Sequence, residues 1–165
     1  MSKDQPGEVF MPPNMLKAKV GGTISGLDSA AIQRAEAAMD TLKVEFSDWI
    51  TKDIARLNEA YDSFQQKRDS ETGGELYRAS HDLKGQATTF EYPLIARIAS
   101  SLGKLMEELK SPEQVPLPLA QAHVEAIRVI FRDKIKDIST RTALILVEEL
   151  EKRTRQTLER TLHAS

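Results

Sequence analysis

Two stretches of this chain, residues 27–72 and 119–165, contain neither glycine nor proline, and that gap limits the fold more than any other feature. Strands are short and end at turns rich in glycine, proline, asparagine and aspartate, so stretches this long without turn signals exclude sandwiches, barrels and alternating strand–helix folds. Helix is what remains. The composition agrees: 40% of the residues are apolar but only 5% aromatic, which makes an aliphatic, alanine-rich core. A length of 165 residues suffices for one domain with a sizeable core.

Residues 1–27 hold Pro12, Pro13, Gly21, Gly22 and Gly26 with no sustained period. They read as an N-terminal extended arm, partly disordered, with part of it lying on the folded body through residues such as Phe10, Met15 and Leu16. Asp28 or Ser29 then caps a first helix that runs to about Lys67. Its stripe of Ile32, Ala35, Met39, Leu42, Phe46, Trp49, Leu57, Tyr61 and Phe64 recurs mostly at steps of three and four, so it is expected to face the core throughout. Gly73 and Gly74 are expected to stop it. A second helix from about Glu75 to Glu91 buries Leu76, Ala79, Leu83, Ala87 and Phe90. Pro93 opens a third, with Ile95, Ile98, Leu102, Leu105 and Leu109 inward. The proline-rich segment Ser111 to Pro118 leads into a single last helix that reaches about Leu162 and buries Val124, Ile127, Phe131, Ile135, Ile138, Ile145 and Leu150.

The fold class is therefore all-α, an up-down-up-down four-helix bundle over residues 28–163 with long first and last helices. The overhanging ends of the long helices are expected either to pair with each other or to support dimerisation. Monomer and homodimer both stay open.

Several function classes drop out. No apolar run approaches the length of a membrane span, the longest being Ala143 to Val147, and Met1 to Glu8 lacks the apolar core of a signal peptide, so a cytoplasmic protein is expected. The chain has no cysteine, hence no disulfide, thiolate metal site or cysteine nucleophile. A net charge of −2 gives no bulk electrostatic attraction for nucleic acid or anionic lipid. His81, His123 and His163 lie far apart, so no metal site is expected.

The chemistry gathers on the second helix, on the face opposite its core stripe. His81, Lys84, Gly85 and Thr88 stand at i, i+3, i+4 and i+7, with Tyr77 one turn earlier. His81 is about 160° from Leu83 on the helical wheel and should face solvent. Glycine in a helix interior costs about 1 kcal/mol relative to alanine, so Gly85 beside an exposed histidine asks for compensation. Its missing side chain lets another molecule approach the imidazole. Lys84 adds a compact cation suited to a phosphoryl group, and phosphoryl transfer needs mainly positioning and charge stabilisation from the protein. Gln86 and Thr88 are candidate supporting hydrogen bonders, and Asp82 is expected to cap or to lie on the surface. On the outer face of the third helix, Arg97, Ser100, Ser101 and Lys104 are candidate partner contacts, while Gly103 has no evident reason.

The string Ser80-His81-Asp82-Leu83-Lys84-Gly85 resembles the His-x-Leu-Lys-Gly signature of histidine-containing phosphotransfer (HPt) domains, helical bundles whose exposed histidine relays phosphate between aspartates of receiver domains. The resemblance implies that His81 is phosphorylated, that Lys84 stabilises the phosphate and that Gly85 gives the partner access. It implies as partners the receiver domains of response regulators or hybrid histidine kinases. It implies no cofactor on this chain, the Mg²⁺ belonging to the receiver. Where many members carry a second glycine about ten positions after the histidine, this chain has Glu91, then Tyr92 and Pro93. Two other readings stand beside it. Ser-His-Asp-Leu-Lys also looks like the H box of a histidine kinase, whose dimerisation and phosphoacceptor part this would be, although Gly85 and Gln86 stand where that box usually has proline. A non-catalytic helical adaptor would account for the long amphipathic helices but not for Gly85.

Overall fold

The computed structural model describes residues 26–164; all but the last two residues of the expected arm lie outside that range. The described chain is helical, with no strand: α1 is Gly26–Lys67, α2 Ser70–Thr89, α3 Pro93–Glu108, α4 Leu117–Arg132 and α5 Arg141–Ala164, with a short 3₁₀ turn at Pro112–Gln114. The chain divides into two compact units, residues 1–47 and 48–165, and α1 runs from the first into the second. Described by itself, the first unit contributes residues 26–47 as one helix, on which Met39, Leu42 and Val44 are exposed.

The second unit is an all-α bundle. The later half of α1 buries Ile50, Ile54, Leu57, Tyr61 and Phe64, and α3 packs against α2, α4 and α5. The expected α3 stripe of Ile95, Ile98, Leu102, Leu105 and Leu109 is buried throughout, and so are Leu76, Ala79, Leu83 and Ala87 of α2. Phe90 is only partly buried. Trp49, expected in the core, is 47% exposed, its ring tilted at 49° against Phe90 with centroids 6.4 Å apart.

Helix boundaries differ from expectation in two places. Gly73 and Gly74 do not end α1; they lie inside the first turns of α2. The reversal is made just before them, where Arg68 takes a left-handed φ of 51° and Asp69 becomes the N-cap of α2. The Asp69 side chain accepts from the Thr72 backbone N–H at 2.8 Å, while Thr72 Oγ1 accepts from the Asp69 N–H at 3.4 Å. This reciprocal pair satisfies two donors that a helix start leaves open. Arg68 then fixes the far side of the bundle, one of its terminal nitrogens donating to the carbonyls of Pro112, Glu113 and Val115 at 2.9 Å each.

The last helix is two helices, so the described chain has five rather than four. α4 closes after Arg132 because Lys134 turns left-handed at φ 53° and the Ile135 N–H reaches back to the Ile130 carbonyl at 3.0 Å, a six-to-one closure of the Schellman type. Asp137 then accepts from the Ser139 N–H at 2.8 Å, a local turn that competes with helix. The apolar period restarts at Arg141 in a new phase. Val124, Ile127 and Leu150 are buried as expected, Phe131 and Ile135 are partly buried, and Ile138 and Ile145 are exposed.

Candidate functional site

α2 holds the candidate site, and the packing of its opposite face fixes how it presents that site. Leu76, Ala79, Ser80, Leu83 and Ala87 are buried, which turns His81 outward with a side chain 68% exposed. Taking about 100° per residue, Tyr77, His81, Lys84, Gly85 and Thr88 share a sector within about 60° of His81 on either side. The structure thus brings together five of the six expected site residues. Gln86 is the exception: it points about 140° away from His81, toward Asp53 of α1, whose carboxyl it helps to hold down.

Around Gly85 the surface is open. A Cβ built there meets nothing within 4 Å, so no neighbour among the described residues requires glycine at this position. Tyr77, half-buried, sets its ring 6.1 Å from the His81 ring at 36°. Thr88 spends its hydroxyl proton on the Lys84 carbonyl at 2.8 Å, and Thr89 does the same to the Gly85 carbonyl at 3.0 Å. The hydroxyl of Thr88 is thereby tied to its own helix rather than to the imidazole. Lys84 is exposed on the same face.

Beneath the site lies Gly103 of α3. A Cβ there would stand 3.8 Å from Ser80 Cβ and 4.0 Å from the Tyr77 ring, ordinary contact distances. This glycine therefore sits where α3 passes directly under the turn of α2 that carries Tyr77 and His81.

Asp82 does more than lie on the surface. Arg56 of α1 donates to its Oδ2 at 2.6 Å, and its Oδ1 is 3.7 Å from His81 Nδ1. The hydrogen bond from Arg56 is the main reason the Asp82 carboxyl is held below the usual carboxylate range. Asp53, one turn before Arg56, is pushed the other way by burial, partly offset by Arg56 and Gln86. Its Oδ2 is buried with no hydrogen-bond partner among the described residues. Neither Asp53 nor Arg56 was singled out by the sequence. Nothing in the local pattern marks them, since they reach α2 only through the packing of two helices.

On α3 the expectation of an outer partner face fails for Ser101, which is 7% exposed. Its hydroxyl lies 2.9 Å from Nε2 of His123 and donates to Thr154 Oγ1 at 2.9 Å, while Thr154 Oγ1 is 3.2 Å from the same Nε2. Arg97 is also engaged, donating through two nitrogens to both carboxylate oxygens of Glu151 on α5 at 2.6 and 3.0 Å. Ser100 is partly buried and Lys104 exposed.

A family model described as Hpt domain matches residues 41–139, a span that includes His81, Lys84 and Gly85 and ends before α5. No curated protein and no solved structure matches the chain.

Proposed function

The chain belongs to the Hpt domain family, whose role is phosphotransfer in phosphorelays with receiver domains as partners, and on that premise we propose that His81 is the residue that carries the phosphoryl group. Imidazole attacks through an unprotonated nitrogen. Asp82 Oδ1 lies near Nδ1, which favours a proton on that nitrogen and leaves Nε2 as the nucleophile. In the forward step Nε2 forms a bond to the phosphorus of a receiver's aspartyl phosphate. The P–O bond breaks, the aspartate leaves as carboxylate, and Nδ1 keeps its proton. In the second step an aspartate of another receiver attacks the phosphorus, the N–P bond breaks, and the neutral ring returns.

Each receiver supplies the aspartate and the Mg²⁺, and this chain supplies position and charge. Lys84 sets its ammonium against the phosphoryl oxygens. Asp82, kept anionic by Arg56, offsets the positive charge that the ring gains on phosphorylation. Gly85 leaves room for the receiver's surface to reach the ring. The observation that carries this reading is the open space at Gly85 beside an imidazole that is mostly exposed. A helix gives up about 1 kcal/mol by having glycine rather than alanine at an interior position, and nothing among the described residues needs that glycine.

Incubation with phosphorylated receiver domains is expected to give acid-labile, base-stable phosphate on His81, lost in His81→Gln. Gly85→Ala should slow transfer on the order of tenfold, as for a small misplacement of reacting groups, while raising stability to urea by about 1 kcal/mol. Absence of transfer across a panel of receivers, or transfer unchanged in His81→Gln, overturns the proposal.

A further inference from the structure

The face of α2 that presents His81 carries a second cation that the phosphotransfer reading does not use. Arg78 stands three residues before His81 and Lys84 three after it, so the two flank the imidazole at about 60° on opposite sides. No acidic residue of α2 falls within that sector. Arg78 is exposed and makes no hydrogen bond or ion pair with any described residue. Asp82, the partner that its spacing of four offers, is already taken: Oδ2 accepts from Arg56 at 2.6 Å, and Oδ1 lies 3.7 Å from His81 Nδ1. Glu59 and Glu75 line the cleft between α1 and α2 together with Arg78, but neither forms an ion pair with it. The guanidinium rests instead on the bare backbone at Gly74, where a Cβ would stand 3.4 Å from Nη1 and 4.0 Å from Cζ. Gly74 is seven residues before His81, about 10 Å along the helix axis. Lys84, His81 and the Arg78 guanidinium therefore follow one another along α2, the imidazole standing between two positive charges.

Charge identifies what meets Arg78. A receiver surface that reaches the imidazole also covers the guanidinium, because a standard interface takes about 800 Å² from each partner, a patch on the order of 30 Å across. That surface is acidic around its aspartyl phosphate, since a site that holds Mg²⁺ does so with carboxylates. Lys84 is engaged by the phosphoryl oxygens, and Arg78, about 10 Å further along α2, is left for a carboxylate at the rim of the acidic site. We propose that Arg78 is a docking residue: it pairs with an acidic side chain of the receiver beside the aspartyl phosphate and so discriminates between receivers that carry one and receivers that do not. This rests on the phosphotransfer reading. A charge at the rim of an interface acts on encounter and on its salt dependence rather than on the chemical step.

Rapid-mixing transfer to the full-length chain, from whichever phosphorylated receiver of a panel reacts fastest with wild type, tests this. Arg78→Glu should lower the second-order rate constant about fivefold at low ionic strength and leave the first-order rate at saturating receiver unchanged. The difference should vanish in about 1 M salt, where the screening length is about 3 Å, and Arg78→Lys should keep most of the wild-type rate. Phosphoramidate checks the imidazole without a receiver: the His81 nitrogen takes its phosphoryl group, the P–N bond of the donor breaks and ammonia leaves, at the same rate in both proteins. Equal second-order rates at low salt overturn the proposal. A loss that persists at high salt, at saturation or with phosphoramidate overturns it as well, because Arg78 then acts on the fold or on His81 itself. Wild type that takes phosphate from no receiver refutes the phosphotransfer reading and this proposal with it, whereas normal transfer that ignores Arg78→Glu refutes this proposal alone.

Discussion

The Leu119 carbonyl can only accept, so the His123 nitrogen 2.8 Å from it, Nδ1, carries the ring proton. Nε2 is then the acceptor for the Thr154 hydroxyl, whose oxygen in turn takes the Ser101 proton, and the ring is satisfied in its neutral form. His81 has the same side chain in water, and the contrast between the two histidines is one of burial. Burial is the largest influence on His123 and pushes its pKa below the ordinary imidazole value, against smaller upward pulls from the Leu119 carbonyl and Glu151. A depressed histidine contributes stability that is present above its unfolded pKa of about 6.5 and is lost as pH falls below that value. Urea unfolding should therefore show wild type losing more stability than His123→Gln between about pH 7.5 and pH 5, even though the variant starts less stable. Comparing the two proteins cancels the carboxylates, such as Asp82, whose lowered values also cost stability on acidification. Equal losses in the two would refute the assignment.

At the level of elements, the left-handed turns are made by charged residues and the glycines lie in helices. Arg68, Glu91 and Lys134 have φ of 51°, 62° and 53°, whereas no described glycine has a positive φ. Each of the three follows the end of a helix, where glycine is usual because it has no Cβ to clash. This explains both misplaced boundaries. Gly73 and Gly74 looked like a stop and are helical, while the end of α4 at Lys134 carries no glycine or proline to announce it. Glu91 occupies the position where many HPt domains carry their second glycine, and the structure gives that glycine a backbone reason. The Tyr92 N–H closes onto the Ala87 carbonyl at 2.8 Å around a left-handed residue 91. A left-handed L-residue costs roughly 1–2 kcal/mol, and glycine gives back about half of that through its freer unfolded chain. Glu91→Gly is thus expected to raise the urea stability by about 0.5–1 kcal/mol without changing transfer at His81. A fall in stability would show that the Glu91 side chain contributes more than the turn costs.

Across the whole molecule, what the sequence made legible was local. The helical class followed from absent turn residues, and the His81 face followed from spacing within two turns of one helix. The Arg56–Asp82 pair and the Ser101–His123–Thr154 cluster join residues on different helices, which no single-helix period can align. The exposure of Trp49 escaped for a related reason: one α1 stripe was read as a single face, although its direction changes at Ile50. That change also sets the limits of the bundle. Every buried apolar side chain among the described residues falls between Ile50 and Leu158, and α5, beyond the matched family span, belongs to the core through Val147, Leu150 and the Thr154 hydroxyl. A chain beginning at Ser47 keeps all of these residues, and Ser47 or Asp48 can cap the shortened helix. It should unfold cooperatively within about 1 kcal/mol of the full chain and accept phosphate on His81 at the same rate. Removing α5 instead should unfold the bundle, because it would leave His123 buried without Thr154 and Arg97 without Glu151. A sharp loss of stability on deleting residues 1–46 would mean that the N-terminal half of α1 is part of the bundle's core, and the boundary at residue 47 would have to be abandoned.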